Sequence, residues 1–194
     1  MLFIISAPSG TGKTTVVRKL LDEIPDLVFS ISATTRKKRD YEVDGKDYYF
    51  ITKEEFENKI KNGEFVEYEE IFDGNYYGTL KSFVDKKIEE GRDIVFDIDV
   101  KGALSLKKYY KNLAILIFLK PPDKEEVMRR LIARGTENVE QIKNRLRRFE
   151  IEMAKIKFFD YIIINDNLEK AVKELVSLIL KIKKGDYKNA TTNN

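Results

Sequence analysis

The chain contains no cysteine and no histidine. That removes disulfides, thiol nucleophiles, Ser-His-Asp triads and the common His/Cys zinc sites. Long apolar runs are also missing. The longest, Leu113 to Leu119, has seven residues, far short of the roughly 20 that span a bilayer, and no basic segment precedes the first apolar run as a secretory signal requires. The expectation is a cytoplasmic protein without membrane association. Charge of one sign is lacking as well: 36 basic residues face 33 acidic ones, a net charge of +3, which gives no reason to expect a nucleic-acid partner. Charge itself is abundant. The 194 residues are 36% charged and 42% hydrophobic, a composition for one soluble domain or one core with an inserted lobe.

Four short apolar runs, Leu2 to Ile5, Ile94 to Phe96, Ala114 to Leu119 and Tyr161 to Ile164, are branched or aromatic and lack strict alternation, the pattern of strands buried on both faces. Helix-period segments follow or separate them: Lys13 to Ile24, Lys101 to Tyr110, Lys124 to Ala133 and Leu168 to Lys184. This alternation predicts an α/β fold with a mostly parallel sheet. Thr52 with Glu55, and Asp123 with Glu126, have capping-box spacing. Residues 31–79 break the rhythm: short alternating stretches rich in Tyr, Phe, Gly and Thr surround one helix near Lys53 to Lys61. They read as an inserted mixed-sheet lobe, with the core at 1–30 and 80–184. A Gly-containing turn and a very basic helix at about 134–148 read as a helical lid, and 185–194 as a polar tail.

The strongest local signal is Ala7-Pro8-Ser9-Gly10-Thr11-Gly12-Lys13-Thr14, between the first apolar run and the first helix. Small residues there let consecutive backbone N–H groups curl around a phosphate at a helix N-terminus. Lys13 reaches the β- and γ-phosphates in such a loop, and the Thr14 hydroxyl ligates Mg²⁺. The structural alternative is a plain Gly-rich turn. In the lobe, Arg36 and Arg39 stand three apart with phenols nearby. Guanidinium forks and neutral hydroxyl donors suit a terminal phosphate, although a solvated basic turn accounts for the arginines equally well.

Taken together, the motifs resemble those of the guanylate kinases (GMP kinases), over about residues 2–182. The phosphate loop is joined in order by Ser-Ile-Ser-Ala-Thr-Thr-Arg, Asp-Tyr-Tyr-Phe, Asn-Tyr-Tyr-Gly-Thr, Asp97-Ile98-Asp99, Arg134-Gly135-Thr136-Glu137 and Asn165-Asp166. The resemblance implies a P-loop nucleoside monophosphate kinase-like fold and Mg²⁺-dependent transfer of the ATP γ-phosphoryl group to GMP, with dGMP as a second acceptor, in purine nucleotide metabolism. It places ATP on Ala7 through Thr15 and Asn165, the GMP phosphate on Arg36, Arg39, Tyr48 and Tyr77, and the guanine on Ser32, Glu67, Thr79 and Asp99. Lys13, Arg130, Arg134 and Arg145 become the charge-neutralising catalytic set, and Asp97 joins Thr14 at the metal. The guanine assignment has a chemical basis, because adjacent N1–H and amino donors suit a carboxylate and adenine lacks that pair. The chain departs from the family at Ala7 for glycine, at Lys38 and Tyr41 near the paired arginines, and at Arg147 and Arg148, where small residues are common. Two rival readings remain: a catalytically silent peptide-binding module of the same fold, and a kinase for another nucleotide. Retention of Lys13, Thr14 and the arginines opposes the first, and Glu67 with Ser32 and Thr79 opposes the second. Monomer and homo-oligomer stay open.

Overall fold

The computed structural model describes residues 1–8, 11–71, 74–133 and 139–186. The core is a five-stranded parallel sheet of β1 (Leu2–Ser6), β2 (Val28–Phe29), β7 (Ile94–Asp97), β8 (Ala114–Lys120) and β9 (Tyr161–Ile164), in the order β2-β7-β1-β8-β9. β1 is buried along its whole length, and its alternate residues enter different layers. Phe3 and Ile5 join Ile115, Ile117 and Leu119 of β8 against α1 (Lys13–Glu23) and α7 (Leu168–Lys183). Leu2 and Ile4 join Leu116 and Phe118 against α3 (Lys81–Glu89) and α4 (Val100–Tyr110). Both faces need apolar side chains, which is why these strands read as unbroken apolar runs.

The second sheet is mixed, ordered β4-β3-β6-β5, from β3 (Ala33–Thr34), β4 (Tyr49–Phe50), β5 (Phe65–Ile71) and β6 (Asn75–Leu80). α2 (Lys53–Lys61) covers it, and Thr52 and Glu55 complete a reciprocal capping box at its start. A separate small core forms here, in which Phe56 stacks on Phe65 at 4.3 Å and on Tyr76 at 5.3 Å between ring centroids. α5 (Lys124–Ala133) and α6 (Val139–Met153) run antiparallel, with Lys124 paired to Glu150 and Val127 packed with Phe149. Asp123 caps α5, accepting the Glu126 N–H at 2.6 Å.

Two core elements give no advance signal in the sequence. β2 is two residues long, too short to show a period. α3 has one fully buried residue, Val84, and no side-chain cap, so neither an apolar stripe nor a start signal marks it. Among the described residues no helix is long and apolar enough to cross a membrane.

Because Phe56 is fully buried within its own cluster, Phe56→Ala should cost about 3–5 kcal/mol. The check is the shift of the urea unfolding midpoint at constant slope. A cost below about 1 kcal/mol would show that the second sheet collapses around the gap.

Candidate active site

Parallel register decides where the site lies. Ile5 pairs with Asp97 and Ser6 with Phe118, so the loop leaving β1 and the loop leaving β7 emerge at the same carboxyl edge, the ligand-binding edge of open α/β sheets. Ala7 is buried in the core, so its methyl group is accommodated where the family resemblance expects glycine. The Thr11 hydroxyl donates to the Pro8 carbonyl at 2.8 Å, and Asn165 Nδ2 donates to the Thr11 carbonyl at 2.6 Å. Asn165 itself is buried after β9, its N–H on the Lys120 carbonyl at 2.7 Å. The loop is therefore braced from the far side of the sheet. Gly12 lies at φ 83°, a left-handed geometry that starts α1 without a side-chain cap and that glycine adopts at no steric cost. The first turn of α1 has no acidic residue, so the positive end of the helix dipole faces an incoming anion unopposed. Ser9 and Gly10 lie outside the described residues, while Thr14 and Thr15 are exposed at the helix start.

Lys13 crosses the edge to β7. Its ammonium forms an ion pair with Asp97 and donates to the Ile98 carbonyl at 2.8 Å. Two residues on, Asp99 caps α4, with Oδ1 accepting the N–H groups of Lys101 at 2.8 Å and Gly102 at 3.2 Å.

The second sheet supplies the opposite wall. Arg36 is tightly held: Nη1 and Nη2 form a two-pronged pair with the buried Glu42 carboxylate at 3.0 and 2.6 Å, and Nε donates to the Tyr77 hydroxyl at 3.1 Å. Glu42 also accepts the Arg39 N–H at 2.8 Å, so it shapes the whole arginine turn. The Arg36 hydrogen bond keeps the Glu42 carboxyl below the ordinary carboxylate range. Glu42 did not stand out in the sequence. Its one signal was an acid three residues after the second arginine. Burial pushes the Tyr48 phenol up to about 12, which leaves it a neutral hydroxyl donor at physiological pH.

Glu67 on β5 takes the Thr79 hydroxyl at 2.6 Å. Burial first, and then the charges of Asp99 and Glu69, push its carboxyl up to about 7 despite that bond. Its position depends on Gly102, since a Cβ there would lie 3.0 Å from Glu67 Oε2 and 2.6 Å from Ile98 Cδ1. The bare first turn of α4 is what lets the carboxylate sit against it.

These walls enclose two adjoining cavities that share Thr14, Ser32, Tyr48 and Asp97. One, of about 320 Å³, is also lined by Lys13, Glu67, Tyr77 and Asp99. The other, of about 420 Å³, reaches Arg39 and Glu42. The carboxyl edge of the core sheet, a buried carboxylate with a hydroxyl, and an arginine turn held by Glu42 thus meet around one space. Arg145 lies on α6 and lines neither cavity. Arg134 and the side chain of Arg130 lie outside the described residues, so the expected shared face of that pair does too.

Comparison with known proteins bears directly on this arrangement. The family model described as guanylate kinase matches residues 1–182. The guanylate kinase of Thermotoga maritima is 47% identical over 178 residues, covering 92% of this chain and 85% of that protein. The one from Porphyromonas gingivalis is 49% identical over 175 residues, covering 90% and 93%. The crystal structure of guanylate kinase from Anaplasma phagocytophilum superposes with a TM-score of 0.76 at 31% identity, over 98% of this chain and 88% of that one. The fold is that of the P-loop nucleoside monophosphate kinases, and the chain belongs to the guanylate kinase family.

Proposed function

We propose that the chain phosphorylates GMP with ATP, giving GDP and ADP, and that the carboxyl-edge cleft divides the two nucleotides between its walls. The observation that carries this reading is one cavity lined by both Lys13 of the phosphate loop and the Glu67 carboxylate, in a chain whose family is settled by full-length similarity. ATP phosphates lie on the loop from Ala7 to Thr15. Lys13 leaves Asp97 for the phosphate oxygens, exchanging one anion for another at nearly the same site. Asn165 serves ATP by holding the Thr11 carbonyl, and so the loop, in place.

The GMP phosphate rests on Arg36, Arg39, Tyr48 and Tyr77. Glu42 takes the end of the Arg36 fork and the Tyr77 hydroxyl takes its Nε–H, which holds the guanidinium in one orientation beside Tyr77. Guanine N1–H and its amino group donate to Glu67 and Asp99, with Ser32 and Thr79 completing the polar wall. dGMP fits the same assignment, because none of these contacts involves the ribose. The acceptor phosphate is already ionised, so no general base is needed, and the chain's lack of histidine is no handicap. Catalysis consists of alignment and charge neutralisation, by Lys13 with Arg130, Arg134 and Arg145 brought in when the lid closes over the phosphates.

Thr14 and Asp97 present hydroxyl and carboxylate oxygens to the same cavity, a hard donor set that suits Mg²⁺. These two residues would hold it, and bound with ATP the ion neutralises charge on the phosphates. A cytoplasmic location is the reading that the bacterial relatives support.

In a coupled ADP-release assay with Mg²⁺-ATP, GMP should turn over fast and AMP, CMP and UMP should be slower by at least about 10³-fold. Comparable turnover with another monophosphate would overturn the guanine contacts while leaving the fold assignment intact. Arg36→Ala should raise the KM for GMP with little change in that for ATP, whereas equal losses for both would indicate structural damage. A third expectation concerns pH. Guanine binding uses the ionised form of Glu67, whose carboxyl is raised to about 7, so GMP affinity should be full above pH 7 and fall as pH drops through it. Glu67→Gln should lower kcat/KM on the order of 100-fold and flatten this dependence to that of the substrate phosphate alone. An identical pH profile in both proteins would exclude Glu67 as the titrating group.

A further inference from the structure

The basic helix α6 brings one residue toward the substrate wall that the mechanism has not used. Arg148 Nε donates to the buried Glu152 at 2.8 Å on its own helix. Its Nη2 faces Glu69 of β5 at 3.5 Å and Asp99 Oδ1 at 3.9 Å. A single guanidinium on α6 thus faces an acid from the second sheet and the cap of α4, and is held by an acid of its own helix.

Its place relative to the cleft is defined by a third cavity, of about 420 Å³, between α4 and α6, floored by Val100, Leu104 and Ile151. Glu69 and Asp99 line both this outer cavity and the one holding Glu67, whereas Arg148 lines the outer one. The two carboxylates are therefore the partition between the cavities, and Arg148 stands behind it. Like charges this close repel, and the Coulomb cost rises as water is excluded. Burial and the neighbouring Asp99 charge push the Glu69 carboxyl above its ordinary range, and Arg148 and Lys101 oppose that shift. Lys101 is largely exposed and 3.6 Å from Glu69, a weak contributor. Arg148 is the better-shielded cation. It faces the same Asp99 oxygen that caps α4, and Asp99 lines the inner cavity as well.

We propose that Arg148, acting through Glu69 and Asp99, is a positioning residue for the guanine pocket, holding the partition closed and tying α6 to the substrate lobe. This rests on the assignment of guanine to Glu67 and Asp99. Arg148 does not touch the nucleotide. Its loss lets the two carboxylates separate and Asp99 turn away from the base, so the defect falls on GMP capture rather than on phosphoryl transfer.

The test is steady-state kinetics with GMP and ATP varied separately, alongside thermal melting, for Arg148→Met, Arg148→Lys and the double variant Glu69→Ala/Arg148→Met. Arg148→Met should raise the KM for GMP roughly tenfold, with kcat and the KM for ATP changing less than about twofold. Arg148→Lys should recover part of the loss, since an ammonium restores the charge without the fork. The double variant should recover most of it, because removing Glu69 removes the repulsion that Arg148 opposes. An unchanged KM for GMP would overturn the proposal. So would parallel losses in kcat, both KM values and melting temperature, or a double variant no better than Arg148→Met. If Arg148→Met does not fold, the Lys and double variants carry the same comparison. Glu67→Gln, run in parallel, separates the two failures: an unchanged GMP KM there sinks the guanine assignment, and a raised one beside an unaffected Arg148→Met sinks the partition alone.

Discussion

Two-faced burial of β1 constrains everything else in this molecule. Leu2, Phe3, Ile4 and Ile5 have no exposure to solvent, and alternate members feed two different cores. Such a strand is stable only with a partner on each edge and a helical layer on each face, and β7, β8 and the four flanking helices supply these. Parallel pairing in this register then leaves the carboxyl ends of β1 and β7 side by side. From that follow the meeting of Lys13 with Asp97 and the position of the cleft.

The cleft is a problem in charge management. Asp97, Asp99, Glu67 and Glu69 all line one cavity of about 320 Å³, a dense set of acids for a site that must accept phosphates. Each acid has a counterpart: Lys13 for Asp97, the Thr79 hydroxyl for Glu67, backbone N–H groups for Asp99, and Arg148 for Glu69. The arginine wall mirrors this, with Glu42 holding Arg36 in one orientation. Buried charges that are paired and hydrogen-bonded become rigid donors and acceptors. Glu67 differs from the others in having a neutral counterpart, and burial pushes its carboxyl up to about 7.

Legibility in the sequence followed the physics of each element. The four long core strands, α1, α2, α4, α5 and α7 were readable because apolar period and caps are local properties. α2 was legible to the residue, since Thr52 and Glu55 mark its first turn. β2 and α3 were not, being stabilised by pairing and packing rather than by their own pattern. Lys13, Thr14, Ser32, Arg39, Tyr48, Glu67, Tyr77, Asp97 and Asp99 line the two adjoining cavities, but their supports were hidden. Glu42 was invisible because an acid near two arginines on a charged turn looks solvated until the fold buries it. Gly102 resembled any glycine in a helix until Glu67 was found against it.

By itself, the sequence determined the chemistry available: a phosphate-loop motif after a buried strand, paired arginines beside phenols, several carboxylates, and no thiol or imidazole. These depend on residue type and short spacing, which the linear chain contains in full. Tertiary structure alone decided which carboxylate faces which cation, that Asn165 braces a loop 154 positions away, and that Arg148 backs Glu69 and Asp99 from a helix 79 positions from β5. Such pairings are set by strand register and helix packing, and the electrostatic environment of a side chain exists only once those distant segments exclude water together.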